Sequence, residues 1–335
     1  EITRSLDPVN GSIQKLYSED TNLIIFQESK VSNALIDKDA IYSAEGQPLT
    51  TSGNLVIGQI RAYAGKYGIS TNPESFAIHG FRKYFTDRVQ NTVLRLSSSG
   101  LEEISRYGMI DYFRDNLALV ANSGKIIGGW DQHNKQYTIS LQPISSEYET
   151  LVFDDNINGW VSRYSFDPDQ CFSVRNNFYT YKDKKIWLHY SNNKRANFYG
   201  IKNISSITTI LNQNPSVTKS FKTIDYEGDS GWELQSANTN TDTSLLVEQA
   251  VPFYSSLADM EAGLFVNNFK LKEDTYAANL FNVTPPNNAE ILSGQDLSGI
   301  KGYYLNCVMN INVNNQREER KLFMVGSSVT TTNGY

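Results

Sequence analysis

Four stretches of the chain repeat one pattern: an apolar run ending in an aromatic residue, a short polar turn, and a second alternating run. They are LIIFQESKVSNALID (23–37), KYFTDRVQNTVLRLS (83–97), TLVFDDNINGWVSRYSF (150–166) and FYTYKDKKIWLHYSN (178–192), the last with Lys182 to Lys185 as its turn. Alternation with a period of two puts the apolar side chains on one face of a pleated ribbon. A hairpin with one apolar face is marginal alone and must pack against another sheet. The composition points the same way, with 20 Tyr and 16 Phe and abundant Thr, Val and Ile, residue types that fit half-buried pleated surfaces. A mainly β chain is expected.

The repeat is uneven, as the positions of Phe26, Phe85, Phe153 and Tyr181 show. Regular propeller blades recur at about 40–50 residues. The expectation is therefore an irregular β-propeller-like or stacked-hairpin domain over 1–235, with a stacked sandwich as a close competitor. The polar stretch QSANTNTDTS places a linker or exposed loop at 236–245, and a small β-sandwich or barrel is expected over 246–335. Within that last segment, YYLNCVMNINVNNQREERKLFMVGSS (303–328) reads as a hairpin turning near Asn314 to Glu318. One or two short helices complete the reading. The first lies in 106–119, with Ile110, Phe113 and Leu117 on one face, and the second in NISSITTILNQNP (203–215), which could equally be a strand.

Charge and targeting signals narrow the partners. The net charge is −6 with both signs interspersed, so no electrostatic footprint for a nucleic-acid backbone exists. No apolar run reaches the roughly 20 residues of a membrane-spanning helix. Cys171 and Cys307 lie far apart in unrelated contexts and read as ordinary buried thiols. The sequons at Asn10, Asn203 and Asn282 would matter only in a secreted eukaryotic protein.

Several short motifs suggest chemistry and fail on inspection. GDSGW (228–232) echoes a serine-protease nucleophile loop, but His79, His133 and His189 lie in segments unlike that family's and Trp232 replaces the final glycine. DDNING (154–159) supplies Asp154, Asn156 and Asn158 ahead of Gly159, the first half of a calcium-binding loop, yet the twelfth position is Ser165 rather than a bidentate glutamate. A solvated hairpin turn is the preferred reading, with calcium a weak alternative. The pairs Glu227 with Asp229 and Asp167 with Asp169 carry no sign of the across-the-bond geometry of glycoside hydrolysis. No cofactor is expected. Trp130, Trp160, Trp187 and Trp232 are candidates for interface or glycan-stacking positions, with interface and core preferred.

Three segments carry a family resemblance: 11–46, 63–117 and ILNQNPSVTKSFKTIDYEGDSGW at 210–232. They resemble the large tail structural proteins, muzzle or tail hub, of crAss-like tailed bacteriophages and their marine relatives. The likeness spans residues 11–232 as whole segments. That family's proteins are much longer, which together with the missing initiator methionine implies a fragment or processed portion. The resemblance implies a non-enzymatic virion component, arranged with copies of itself in a ring at the distal end of a short tail or nozzle and touching other tail proteins. The alternative is a carbohydrate-binding or glycan-degrading propeller that engages host surface glycans. In the preferred reading Phe85, Val93, Leu94 and Leu96 supply core, while Asp87, Arg88 and Arg95 make turn or neighbour-chain contacts.

Overall fold

A computed structural model of the chain describes residues 3–42, 48–120, 123–144, 147–239, 269–280, 300–311 and 319–331. The chain divides into two compact units, 1–191 and 192–335.

The first unit is a series of antiparallel meanders in chain order. Strands β1 (Ile13–Glu19), β2 (Asn22–Gln27), β3 (Val31–Tyr42) and β4 (Pro48–Ala62) form the first sheet. Strands β5 (Ala77–His79), β6 (Arg82–Asp87), β7 (Thr92–Ser97) and β8 (Gly100–Glu103) form the second, followed by α1 (Ile110–Leu119). The third sheet contains β9 (Lys125–Asp131), β10 (Gln136–Ile144), β11 (Glu147–Asp154) and β12 (Gly159–Tyr164). The fourth has three strands, β13 (Gln170–Val174), β14 (Asn177–Lys182) and β15 (Lys185–Leu188). All four sequence hairpins are present, as β2–β3, β6–β7, β11–β12 and β14–β15.

Strand alternation explains how these sheets stack. On β6 and β7, Phe85, Leu94 and Leu96 face Ile24, Phe26 and Val31 of the first sheet, forming one core. Their neighbours Tyr84 and Val93 point the other way, into a second core with Tyr137, Ile139 and Phe153 of the third sheet and Phe113 and Leu117 of α1. The second sheet is thus buried on both faces, and each fully buried large apolar side chain contributes about 1.5–3 kcal/mol. Two adjacent glycines let β9 be approached closely from both sides. A Cβ on Gly128 would meet the Ser75 carbonyl oxygen at 1.9 Å, and one on Gly129 would meet Cys171 Cβ, from the fourth sheet, at 2.2 Å.

The second unit is built from β16 (Asn197–Phe198), β17 (Ile201–Lys202), β18 (Ser205–Leu211), β19 (Lys219–Phe221), β20 (Thr223–Gly228), β21 (Glu233–Asn238), β22 (Lys270–Lys272), β23 (Thr275–Asn279), β24 (Ile300–Gly302), β25 (Leu305–Ile311), β26 (Leu322–Gly326) and β27 (Val329–Thr331). Strands β16 and β17 pair alone, and the larger sheets run β18-β25-β21, β24-β19-β27 and β22-β23-β20-β26. Their core gathers Phe221, Ile224, Tyr226, Leu234, Ile300, Leu305, Cys307 and Met309.

Several expectations need correction. The sheets of the first unit follow one another like propeller blades, but among the described residues no closed propeller or barrel forms. The chain divides at 191/192 rather than near 235, because strands from 205–238 take their hydrogen-bonding partners from 275–279 and 300–331. Residues 236–238 end strand β21 instead of opening a linker, and 240–245 lie outside the described residues. The sandwich or barrel placed at 246–335 does not stand apart, since its described strands complete sheets begun before residue 240. The 303–328 hairpin does not form: β25 lies between β18 and β21, while β26 pairs with β20. Its expected turn lies outside the described residues. Of the two readings left open for 203–215, the strand forms, as β18 over Ser205–Leu211. On α1, Phe113 and Leu117 are buried as expected, whereas Ile110 is exposed.

Candidate functional site

Three hairpins of the first unit share a turn with a common physical cause. Asp87 pairs with Thr92, Asp131 with Gln136 and Asp154 with Gly159, each across four loop residues. The leading carboxylate caps the turn. Asp87 Oδ1 accepts from the amides of Val89 and Gln90, Asp131 Oδ1 from those of His133 and Asn134, and Asp154 Oδ1 from that of Asn156. The last loop residue, Asn91, Lys135 or Asn158, has positive φ. Aspartate side chains that hydrogen-bond the backbone two residues on are common turn formers, and asparagine tolerates the left-handed region. The calcium-like spacing of Asp154, Asn156 and Asn158 therefore serves a hairpin turn. Asp154 Oδ2 also accepts from Gln136 Nε2, and the Arg95 guanidinium donates to Asn158 Oδ1 at 3.3 Å, putting positive charge beside the loop. Among the described residues no cluster of three or more His, Cys, Asp or Glu side chains could hold a metal ion.

The second residue of that third turn, Asp155, has a different role. Its carboxylate reaches back to the second sheet and accepts from Arg82 at 2.7 Å, Arg95 at 2.6 Å and the Tyr84 hydroxyl. Arg95 also donates to Glu102 at 2.6 Å, and the Tyr107 hydroxyl donates to Glu102. The side chains of Asp155 and Arg95 are 7% and 11% exposed, so this is a largely desolvated pair. Burial alone would raise the Asp155 pKa, but hydrogen bonds from Tyr84, Arg82 and Arg95 outweigh it and hold the carboxyl below the usual range. Burial and the same carboxylate push the Tyr84 hydroxyl up, so it stays protonated and donates. The network latches the β11–β12 turn to the second sheet. It makes Arg95 an intramolecular contact, and Asp87 likewise turns inward, accepting from Gly68 N and Ser70 Oγ at 2.8 Å.

The four tryptophans do not share one environment. Trp130 is 7% exposed, stacks on His79 with centroids 4.2 Å apart and donates from Nε1 to Gln132. Trp160 packs on Phe113 and Phe153 and donates to the Ile104 carbonyl. Trp187 sits opposite Thr180 in the fourth sheet. Trp232 belongs to the second unit, packs against its core and donates to the Lys321 carbonyl. Trp130 and Trp160 pack in one core of the first unit, and Trp232 packs against the core of the second.

The remaining candidates have structural partners. Ser230, in the second unit, accepts from Arg320, while all three histidines belong to the first unit. His189 is pushed down to about 4 by burial and lies 2.8 Å from Thr180 Oγ1. His133 stacks on Tyr190. Asp167 pairs with Lys182 and Asp169 with Lys125. Burial raises both thiols, that of Cys307 to about 12. A cleft of about 370 Å³ is lined by Asn72, Glu74, Arg88, Lys125 and Asp169 among others. Two of its charges, Lys125 and Asp169, already pair at 3.3 Å, and among the described residues no histidine, serine or cysteine lines it.

A scaffold of stacked sheets is what the geometry offers, and the comparisons with known proteins agree. The Crassvirus muzzle protein family model matches residues 3–184, more than half of the chain. The chain belongs to the Crassvirus muzzle protein family. A second model, that of the Crassvirus muzzle protein C-terminal domain, matches residues 193–282. The two matches meet between 184 and 193, on either side of the seam between the units at 191/192. The muzzle protein of Bacteroides phage crAss001 is 23% identical over 248 residues, covering 71% of this chain. The chain spans 17% of the length of that curated relative. Membership of the muzzle family makes this a bacteriophage structural protein, a component of the virion tail. No helix among the described residues is long and apolar enough to cross a membrane.

Proposed function

We propose that the chain works as a non-enzymatic building block of the muzzle, the assembly at the distal end of the phage tail, through contacts with copies of itself in a ring and with other tail proteins. The family match over residues 3–184 carries this reading. The packing supports it: the polar networks of the first unit, around Asp87, Asp131 and Asp155, brace turns and join sheets. Buried hydrogen-bonded networks of this kind favour one geometry over many loose ones. A rigid block with defined edges is what a symmetric assembly needs. Shape and contact, rather than bond chemistry, are then the working properties.

Antibodies against this chain, applied to intact virions as gold conjugates, test the reading. Labelling at the tail tip, with peptides from both units recovered from purified particles by mass spectrometry, is the expected result. Particles lacking these peptides, or carrying label on the capsid alone, overturn it.

A further inference from the structure

The join between the two units is the stretch SNNKR at 191–195, polar throughout and exposed along its whole length. It is held at both ends. On the near side the Tyr190 hydroxyl donates to Asp131 at 2.6 Å and accepts from the Asn134 amide at 2.8 Å, fixing the end of the first unit. On the far side the Ala196 carbonyl accepts from Asn203 N at 2.8 Å, closing the base of the β16–β17 hairpin. Tyr190 and Ala196 both have positive φ, so the chain changes direction at each anchor. The residues between them belong to no helix or strand. Lys194 N donates to Asn192 Oδ1 at 2.8 Å, and the Arg195 guanidinium lies 3.5 Å from Glu319, with the two side chains 50% and 61% exposed. Water screens an ion pair of that kind, so it holds the stretch weakly.

Exposed polar connections between compact units are preferred sites of proteolysis, because the backbone there can be drawn out without opening a core. Each sheet among the described residues takes all of its strands from one side of 191/192, so a cut beside Lys194 or Arg195 divides no sheet. The side chains select the class of enzyme. Two adjacent cations match the acidic specificity pocket of a trypsin-like endopeptidase. Other exposed cations are tied more firmly. Arg175 and Lys184 each lie in a two-residue hairpin turn, whose ladder would have to open first. Lys321 N donates to Asp229 Oδ2 at 2.7 Å while the Lys321 carbonyl accepts from Asp229 N at 2.8 Å, and the neighbouring Arg320 donates to the Ser230 carbonyl.

We propose that Lys194 and Arg195 form a cleavage site at which an endopeptidase of trypsin-like specificity divides the folded chain into its two units. Water adds across the peptide bond that follows Lys194 or Arg195, leaving a carboxylate on that residue and an amine on the next, with no other reactant consumed. The site goes beyond the building-block reading and stands apart from it, since the cut is measured on the chain in solution whatever its place in the virion.

Limited digestion of the full 335-residue chain with trypsin, followed by intact mass spectrometry, tests the site. The expected first products are two fragments, 1–194 or 1–195 and the remainder, which accumulate because each keeps its own sheets. The double variant Lys194→Gln with Arg195→Gln alters two exposed side chains, and its full-length form should disappear at least about tenfold more slowly, with an unchanged circular dichroism spectrum. If that spectrum differs, the fragment map of the unaltered chain decides alone. A first cut at any other basic residue overturns the proposal. So does a folded variant digested at the rate of its parent, or a parent that passes directly to small peptides without the two fragments.

Discussion

Replacing Asp155 with alanine should strip the stacked sheets of their main electrostatic tie. The substitution removes one acceptor shared by Arg82, Arg95 and Tyr84 and leaves the Arg95 guanidinium, 11% exposed, with Glu102 as its one carboxylate and the Asn158 amide oxygen at 3.3 Å. Breaking one partner of a buried pair costs about 3–5 kcal/mol. The lower end applies here, since Arg82 is nearly half exposed and can turn to water while Arg95 keeps one carboxylate. For a unit of this size about 3 kcal/mol corresponds to a fall of roughly 6–12 °C in Tm. Tryptophan fluorescence in a Trp232→Phe background reports the first unit, whose core holds Trp130 and Trp160. The pH dependence supplies a second check. The Asp155 pKa is lowered in the folded state, so its stabilisation is present above the unfolded value of about 3.9 and is lost as pH falls through the folded one. The gap between variant and parent should stay constant from about pH 5 to 8 and close only below about pH 4. A loss under about 1 kcal/mol, the size of an exposed pair, would refute the view that the pair is desolvated and structural.

Three further outcomes follow from single residues. Gly128→Ala drives a methyl group into the Ser75 carbonyl and should destabilise the first unit by about 1–3 kcal/mol in urea titration, whereas alanine at Gly159, where a Cβ would meet nothing closer than 3.8 Å, should cost far less. His189 is neutral in the fold because burial lowers its pKa to about 4, so its contribution is complete above the unfolded value of about 6.5 and declines towards pH 4; His189→Gln should flatten that slope in unfolding measured across the window. The Cys307 thiol, fully buried and raised to about 12, should resist Ellman's reagent until the protein unfolds, and burst-phase labelling in native buffer would contradict its placement.

The amino-acid sequence shows local features of this fold far better than distant ones. The four hairpins are legible because period-two patterning and turn residues act within about 15 residues of chain. Phe85 and Leu94 read as core, but that Tyr84 and Val93 are buried on the opposite face cannot be read from one ribbon, since it depends on a third sheet that begins 30 residues later. At 203–215 the isoleucine spacing fits helix and strand alike, and pairing with β25, about 100 residues on, decides for strand. The same long-range pairing draws β25 and β26 into different sheets and dissolves the hairpin that their proximity suggests. The aspartate turns were partly visible: DRVQN, DQHNK and DDNIN share a leading aspartate at a strand end, a signal that turn chemistry explains without a metal. The latch was not visible, because Asp155 meets Arg95 across 60 residues and its role rests on burial that sequence does not display.

A cryo-electron reconstruction of the virion tail at side-chain resolution tests the central claim most directly. The account predicts density at the distal tail for four successive meander sheets, with the turn carboxylate of the third engaged by two arginines of the second. Tail density that excludes this chain, or a pocket within it holding a metal or a nucleophile beside its base in working geometry, would contradict a protein that acts through shape and contact.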